Sequence, residues 1–574
     1  MAKKELSPEM RIVLAFGLSL LILLISRPLL VRESPPEEKP ATTAESAAAE
    51  IPATPPEASP EPVPSSASTL PPGTLKQGER EETITVVGDL YRIQFSTRGG
   101  AVKSWTLNNF KDEEKNQLDL VSEAAAKFGD PLSVWVSDAA IRKEAGRAIY
   151  LATSSKGSAQ GELKAPVTLT FEFANQRLAV RKQFTFAPDS YVVGVESEVS
   201  TGGVPQAHQI AWPGSFGDSH DIQITGVQAS VAYYENDKVV SIPPGDVEGE
   251  EKSVTGSFPF AGIQDHFFTA AFLPSDAAQP SLRLSALKSE IQLLNRDEPV
   301  PGVGVAVGAG IGAVNRLRLF VGPKDSHILP TVDARLGSLI DYGWFTIIAK
   351  PLYIGLRWIH DNIVANYGWA IILFTIVINL LMIPLKLSSL RSARKMQLVA
   401  PQLRAIQDKY KNLKMKDPKR QQMSQETMQL YQKHGVNPVG GCLPMLIQLP
   451  FLIGFYNVLR SSIEMRHAAW IAPWITDLSA PEDMAIRLLP LLMCGTQFVL
   501  QKMTPTPAAD PMQQKIMMFM PVMMLFFFWS MSTGLVLYWT TGNLVGIAQQ
   551  AYFNRTELKG EIEAKKAAKK KRGT

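Results

Sequence analysis

Hydrophobic and polar positions change rhythm several times along this chain. Residues 12 to 26, IVLAFGLSLLILLIS, form a nearly unbroken apolar run behind Lys3, Lys4 and Arg11. A run of this length suits a membrane anchor, or the apolar region of a cleaved secretory signal. Arg27-Pro28 follows where a small-residue cleavage site would be needed. An uncleaved anchor over 10–31 is therefore expected, after a cytoplasmic N-terminus over 1–9. Residues 33–73 carry 11 prolines among Ala, Ser, Thr and Glu. Such a composition cannot bury enough apolar surface to offset its ordering entropy, so 32–76 reads as an extended, disordered linker.

From 77 to 328 the rhythm is of period two. APVTLTFEFANQ, LAVRKQFTFAPDSYVVGVESEV and VNRLRLFVGP alternate apolar with polar residues and are separated by Gly, Pro and Asp-Ser breaks. This predicts a large antiparallel β-sandwich. From 343 to 363 the pattern turns helical. Lys350, Arg357 and Asp361 stand at i, i+7 and i+11 on one face, among Trp344, Tyr353 and Trp358. An amphipathic helix in the membrane interface is expected, with a span broken at Pro351 as the other reading. Five apolar segments follow, at 365–388, 436–460, 484–503, 514–531 and 533–552, each close to the ~20 residues a bilayer core requires. With the anchor they make six predicted spans.

Between the first two of these five segments, 389–435 is polar but patterned. Met396, Val399, Leu403, Ile406, Tyr410 and Leu413 step by three and four, a heptad seam. Asp417-Pro418 resembles an N-cap with Pro at the first helical position. A cytoplasmic helical hairpin is expected. Charge then orients the chain. The total of +4 hides a strong asymmetry. Residues 386–433 hold 12 Lys or Arg against Asp408, Asp417 and Glu426, and eight more basic residues follow from Arg555. The 461–483 loop holds only Arg466 against Glu464, Asp477, Glu482 and Asp483. The positive-inside rule puts the hairpin and the 553–574 tail in the cytoplasm and the β domain outside.

Candidate chemistry is sparse. Cys442 and Cys494 lie in apolar runs and read as small buried hydrophobes. HExxH, GxSxG and GK[ST] are absent from the sequence, the seven histidines are scattered, and no cofactor or metal is expected. A membrane-tethered carbohydrate-active sandwich remains an alternative. A transporter is another, although the five segments show no internal repeat. What does stand out is polar residues at membrane depth. Asn379 lies in TIVINLLMIP with Thr375 one turn earlier on its face. Gln448, Gln497, Thr540, Thr541 and Asn543 are similar. Each could line a wet groove or bond between helices.

Three strings carry a resemblance. HGVNPVGGCLPMLIQLPFLIGFYNVLRSSIEMR at 434–466, QKMTPTPAADPMQQKIMMFMPV at 501–522 and TGLVLYWTTGNLVGIAQQ at 533–550 closely resemble the YidC membrane protein insertases. RLFVGPKD at 318–325 is similar to the outer domain of that family. The resemblance implies a polytopic α-helical inner-membrane protein. It would have six spans with a five-helix insertase core, a large periplasmic antiparallel β-sandwich and a cytoplasmic helical hairpin. It implies insertion of nascent membrane proteins through a polar groove open to cytoplasm and lipid, without catalysis of a reaction. The implied partners are the Sec translocon, the ribosome, the signal recognition particle machinery and the lipid bilayer. The groove would be lined by Thr375, Asn379, Lys386, Gln448, Tyr538, Trp539 and Asn543. Lys565, Lys566, Lys569, Lys570, Lys571 and Arg572 would touch ribosomes. The family usually has an arginine where Asn379 stands, five residues before Pro384. Lys386, seven residues on, is expected to bring a charge to the groove mouth.

Overall fold

The computed structural model describes residues 75–112, 115–218, 227–275, 282–291, 298–309, 313–410, 419–435, 443–504 and 511–572, with the backbone alone over 443–449, 511–517 and 557–572. The anchor expected over 10–31, the linker to residue 74, Asp417-Pro418 and Cys442 lie outside the described residues.

The alternating segments form the strands. Val167–Ala174 and Leu178–Phe186 pair antiparallel, and their inward positions alternate in register, Phe171 against Lys182 and Leu169 against Phe184. Among the described residues they lie in an eleven-stranded sheet that stands with two five-stranded sheets. Phe95 meets Phe171, Phe184 and Phe186 with ring centroids 5.2–5.9 Å apart, and Trp105 meets Trp212 at 6.1 Å. One pairing departs from the antiparallel expectation. Thr83–Val87 runs parallel to Gly161–Lys164, which is reached across a long excursion rather than a hairpin.

Strict alternation also drives a lysine inward. Lys182 is fully buried, and its ammonium donates to the carbonyls of Gly99, Gly100 and Leu132 at 2.8, 2.5 and 2.9 Å. Burial pushes it down to about 7. Gly100, at φ +51°, leaves room for it: a Cβ there would stand 3.3 Å from the Lys182 Cε.

The second half is helical. We label its helices α1 (Thr346–Asn362), α2 (Tyr367–Leu381), α3 (Ile383–Lys409), α4 (Lys419–Lys433), α5 (Leu443–Ser461), α6 (Leu488–Met503), α7 (Pro511–Phe528) and α8 (Thr533–Arg572). Helix α8 packs along α6 and α2, and α5 along α1. Gly546 permits the α8–α6 approach, since a Cβ there would meet Leu500 at 3.0 Å. The α3–α4 pair is closed by part of the expected seam; Ile406 is half-buried and Leu413 lies outside the described residues. Met396, Val399, Leu403 and Tyr410 are buried, and Met396 and Val399 lie against Leu430 and Tyr431. Tyr410 and Lys409 both donate to Glu426 across it, at 2.8 and 2.7 Å.

Three expectations change. Among the described residues no single helix is long and apolar enough to cross a membrane; α2 and α3 together are, but they bend by 56°. The sequence segments had included flanks that are not helical, such as 484–487 before α6 and 529–532 after α7. The segment at 365–388 is therefore not one straight span. Its break falls at Met382, with Pro384 in the first turn of α3, where its missing N–H and fixed φ suit a helix start. Finally, Arg357 of α1 does not sit on an open polar face. It is half-buried and pairs with Glu464 at 2.8 Å. The exposed stripe of α1 carries Ile347, Ile354 and Trp358 beside Trp344, together with Lys350 and Asp361, the other two expected charges, which do stay exposed.

Candidate functional site

The polar residues of the helical half gather along α8. On the α2 side, Thr375 is fully buried and Asn379 nearly so. Thr375 Oγ1 donates back to the Ile371 carbonyl at 2.6 Å, a local bond that satisfies a hydroxyl among apolar neighbours. Asn379 Nδ2 donates to the Thr375 carbonyl at 2.8 Å. Its Oδ1 accepts from Lys386 Nζ at 2.6 Å. Its backbone carbonyl accepts from Gln549 Nε2 of α8 at 3.2 Å. Asn379 is thus shared by three elements, with both ends of its amide and its main chain engaged.

Lys386 stands seven positions on from Asn379, across the 56° break between α2 and α3, and reaches back so that its ammonium rests on the amide. A charge held among apolar helices is costly unless a polar group receives it, and Asn379 supplies the acceptor.

On the α6 side, Asn543 is buried and donates to the Met493 carbonyl at 3.3 Å and to Thr496 Oγ1 at 3.2 Å. Trp539 Nε1 donates to Gln497 Oε1 at 3.3 Å. Tyr538 is buried on the next position of α8, its ring 4.6 Å from Phe455. Gln550 is buried and donates to Asn554 Oδ1 at 2.8 Å. Gln448 lies on α5 where only the backbone is described, and so do Lys565, Lys566, Lys569, Lys570, Lys571 and Arg572 on the last turns of α8.

The structure therefore brings Thr375, Asn379 and Lys386 together at one seam, and Trp539 and Asn543 at another on the same helix. Sequence reasoning missed Gln549 and Gln550. A signal was there: Asn543 and Gln550 are seven apart, hence on one helical face.

Comparison with known proteins identifies the class. The 60Kd inner membrane protein family matches residues 358–561, and the YidC periplasmic domain matches residues 83–354. A protein of Pelobacter propionicus named membrane protein insertase YidC is 34% identical over 95% of this chain and 99% of its own. One of Syntrophus aciditrophicus bearing the same name is also 34% identical, over 95% and 99%. A crystal structure described as an active YidC insertase with its first transmembrane domain resolved is 20% identical and covers 83% of this chain and 93% of its own, at a TM-score of 0.34. The chain belongs to the YidC family, and its β-sandwich is that family's periplasmic domain.

Proposed function

We propose that this protein inserts nascent membrane proteins into the bacterial inner membrane, and that the α2–α3–α8 seam is the polar surface along which a substrate's polar groups pass. A charged residue at the bilayer centre costs about 2.5–3.5 kcal/mol on insertion scales, and each unpaired backbone group costs several more. A seam that offers amides, hydroxyls and a cation lowers both barriers. The released helix then stays in lipid through its own hydrophobicity, and no cofactor or chemical fuel is required. In this reading Thr375, Asn379, Lys386, Gln448, Tyr538, Trp539 and Asn543 form the groove. The bundle has six spans, counting an anchor over 10–31. The tail cations from Lys565 to Arg572 meet the ribosome, and the Sec translocon and signal recognition particle machinery are partners.

The observation that carries the reading is Lys386 on Asn379. By the resemblance the amide stands where the family usually has an arginine, and Lys386 brings a cation to it from seven positions on. A transporter reading has no comparable support, because the relatives at 34% identity are named insertases. The test is complementation in a strain depleted of the endogenous protein, with insertion of a single-span substrate carrying an acidic outer segment as the readout. Lys386→Met should reduce insertion of that substrate about tenfold and spare one with a neutral outer segment. Equal loss for both substrates would remove the role of the charge.

A further inference from the structure

The segment between α5 and α6, residues 462–487, makes an unusual set of attachments. At its start Arg466 enters the β domain. Its Nη2 pairs with Asp218 Oδ2 at 2.7 Å and its Nη1 donates to the Lys111 carbonyl at 2.8 Å. Both charged side chains are closed off from solvent, at 3% and 7% exposure. The guanidinium also lies over the Phe268 ring at 5.6 Å. Beside it, Ile463 is part of the β-domain core, and His266 Nε2 meets the Arg460 carbonyl at 2.7 Å. His467 follows at φ +55°, a conformation that persists in a non-glycine residue only where its surroundings hold it.

The rest of the segment attaches to the helix ends. Glu464 accepts from Arg357 and Tyr353 of α1 at 2.8 and 2.5 Å. Asn366, the N-cap of α2, donates to the Ala469 carbonyl at 3.0 Å. Glu482 accepts from the backbone of Leu488 and Leu489 at 3.1 and 2.9 Å, which satisfies the first turn of α6. The carbonyls of Ala480 and Leu478 accept from the backbone of Thr533 and Gly534 at 2.8 and 2.9 Å, at the start of α8.

We infer that residues 462–487 form a cap over one end of the helical unit, touching α1, α2, α6 and α8 together, and that Arg466 is the positioning residue through which the β domain holds this cap in place. Removing one partner of a buried ion pair leaves the other charge buried without compensation, whereas removing both is close to neutral. The pair therefore fixes the register between cap and β domain more than it adds stability. The inference goes beyond the insertase reading, because it assigns what holds the end of the bundle whether or not a substrate passes.

The experiment is hydrogen exchange on the full-length protein in nanodiscs, following the amides of Leu488, Leu489, Thr533 and Gly534, with insertion measured separately. Three variants are compared: Arg466→Gln, Asp218→Asn with Arg466→Gln, and Arg466→Lys. The neutral double variant removes the register without stranding a charge, so it accumulates even where the single one does not. Protection at the four helix-end amides should fall about tenfold in Arg466→Gln and in the double variant. It should fall less in Arg466→Lys, which keeps the charge but has one nitrogen for two acceptors. Insertion should fall about threefold alongside it. If exchange rose only near Lys111 and Asp218, with the four helix-end amides unchanged in the double variant, the cap would be held by its helix contacts alone and the assignment to Arg466 would be overturned. Exchange altered as expected with insertion untouched would sustain the positioning role and show that passage along the seam does not depend on the cap.

Discussion

A lysine ammonium resting on an asparagine amide makes a specific demand on any residue placed there. Asn379→Leu removes the acceptor of Lys386 and the tie to the Thr375 carbonyl, leaving a cation without its partner. Asn379→Arg, which by resemblance alone would be benign, now sets two cations side by side. At 4 Å and an effective dielectric near 20 their repulsion is about 4 kcal/mol. Asn379→Arg should therefore be poorly tolerated on its own. Combined with Lys386→Gln it regains the single cation and an amide partner, with the two roles exchanged. Protein level and insertion of a single-span substrate are the measurements. The double variant should recover most of the insertion that Asn379→Arg loses. A benign Asn379→Arg, with Lys386 left in place, would mean that the two side chains do not share a site.

Elements carry their meaning at a longer range. The period-two strands and the seam from Met396 to Tyr410 were legible because each pattern repeats within one element, and burial follows directly from the repeat. The bend at Met382 was not legible in the same way. Pro384 marked a helix boundary, but a periodic count alone carries Lys386 straight past it. The Arg466–Asp218 pair was beyond reach, since its partners are 248 residues apart and no local pattern links them. The tail illustrates the same limit. Its cations were evident, yet the sequence separated them from the last apolar segment, while α8 runs unbroken from Thr533 to Arg572, about 60 Å at 1.5 Å per residue. A continuous helix can carry the six terminal cations well away from the bundle. If they neutralise phosphates, removing residues 556–574 should weaken ribosome co-sedimentation and flatten its salt dependence, by about 0.7–0.9 in the log–log slope for each phosphate no longer neutralised. A slope unaltered by the truncation would assign the tail to another role.

At the scale of the whole molecule, the β domain carries a response to acid that reaches its contact with α5. His208 is buried against Ser197 Oγ at 2.7 Å and the Gln206 carbonyl at 3.1 Å, with Arg283 and Lys182 nearby. Burial, then those cations, push it down to about 4. His266 is pushed down to about 3 by burial and by Lys324 and Arg460, at the junction with Arg466. Asp265, whose carboxylate accepts from the backbone of Asp218, Phe267 and Phe268, is pushed up to about 6 by burial. The signs differ. Each histidine has its folded value below the unfolded 6.5, so its contribution is intact above 6.5 and is lost as pH falls toward its folded value. Asp265 has its folded value above the unfolded one, so its contribution is full below about 4 and is lost as pH rises through 6. Lys182 and Lys324 are charged in both states below pH 6 and change nothing there. Near pH 5 the unfolded chain therefore takes up protons on both histidines while the folded domain already holds one on Asp265, so the two histidines outweigh the carboxyl and these groups together make the domain less stable as pH falls. The urea midpoint of the β domain, read by limited proteolysis of the full-length protein in detergent, should fall steadily from pH 6 to 4.5. His208→Gln keeps a partner for Ser197 and removes one titrating group, so its midpoint should fall less steeply than the parent's across that range. A His208→Gln profile as steep as the parent's would show that the acid response arises elsewhere in the chain.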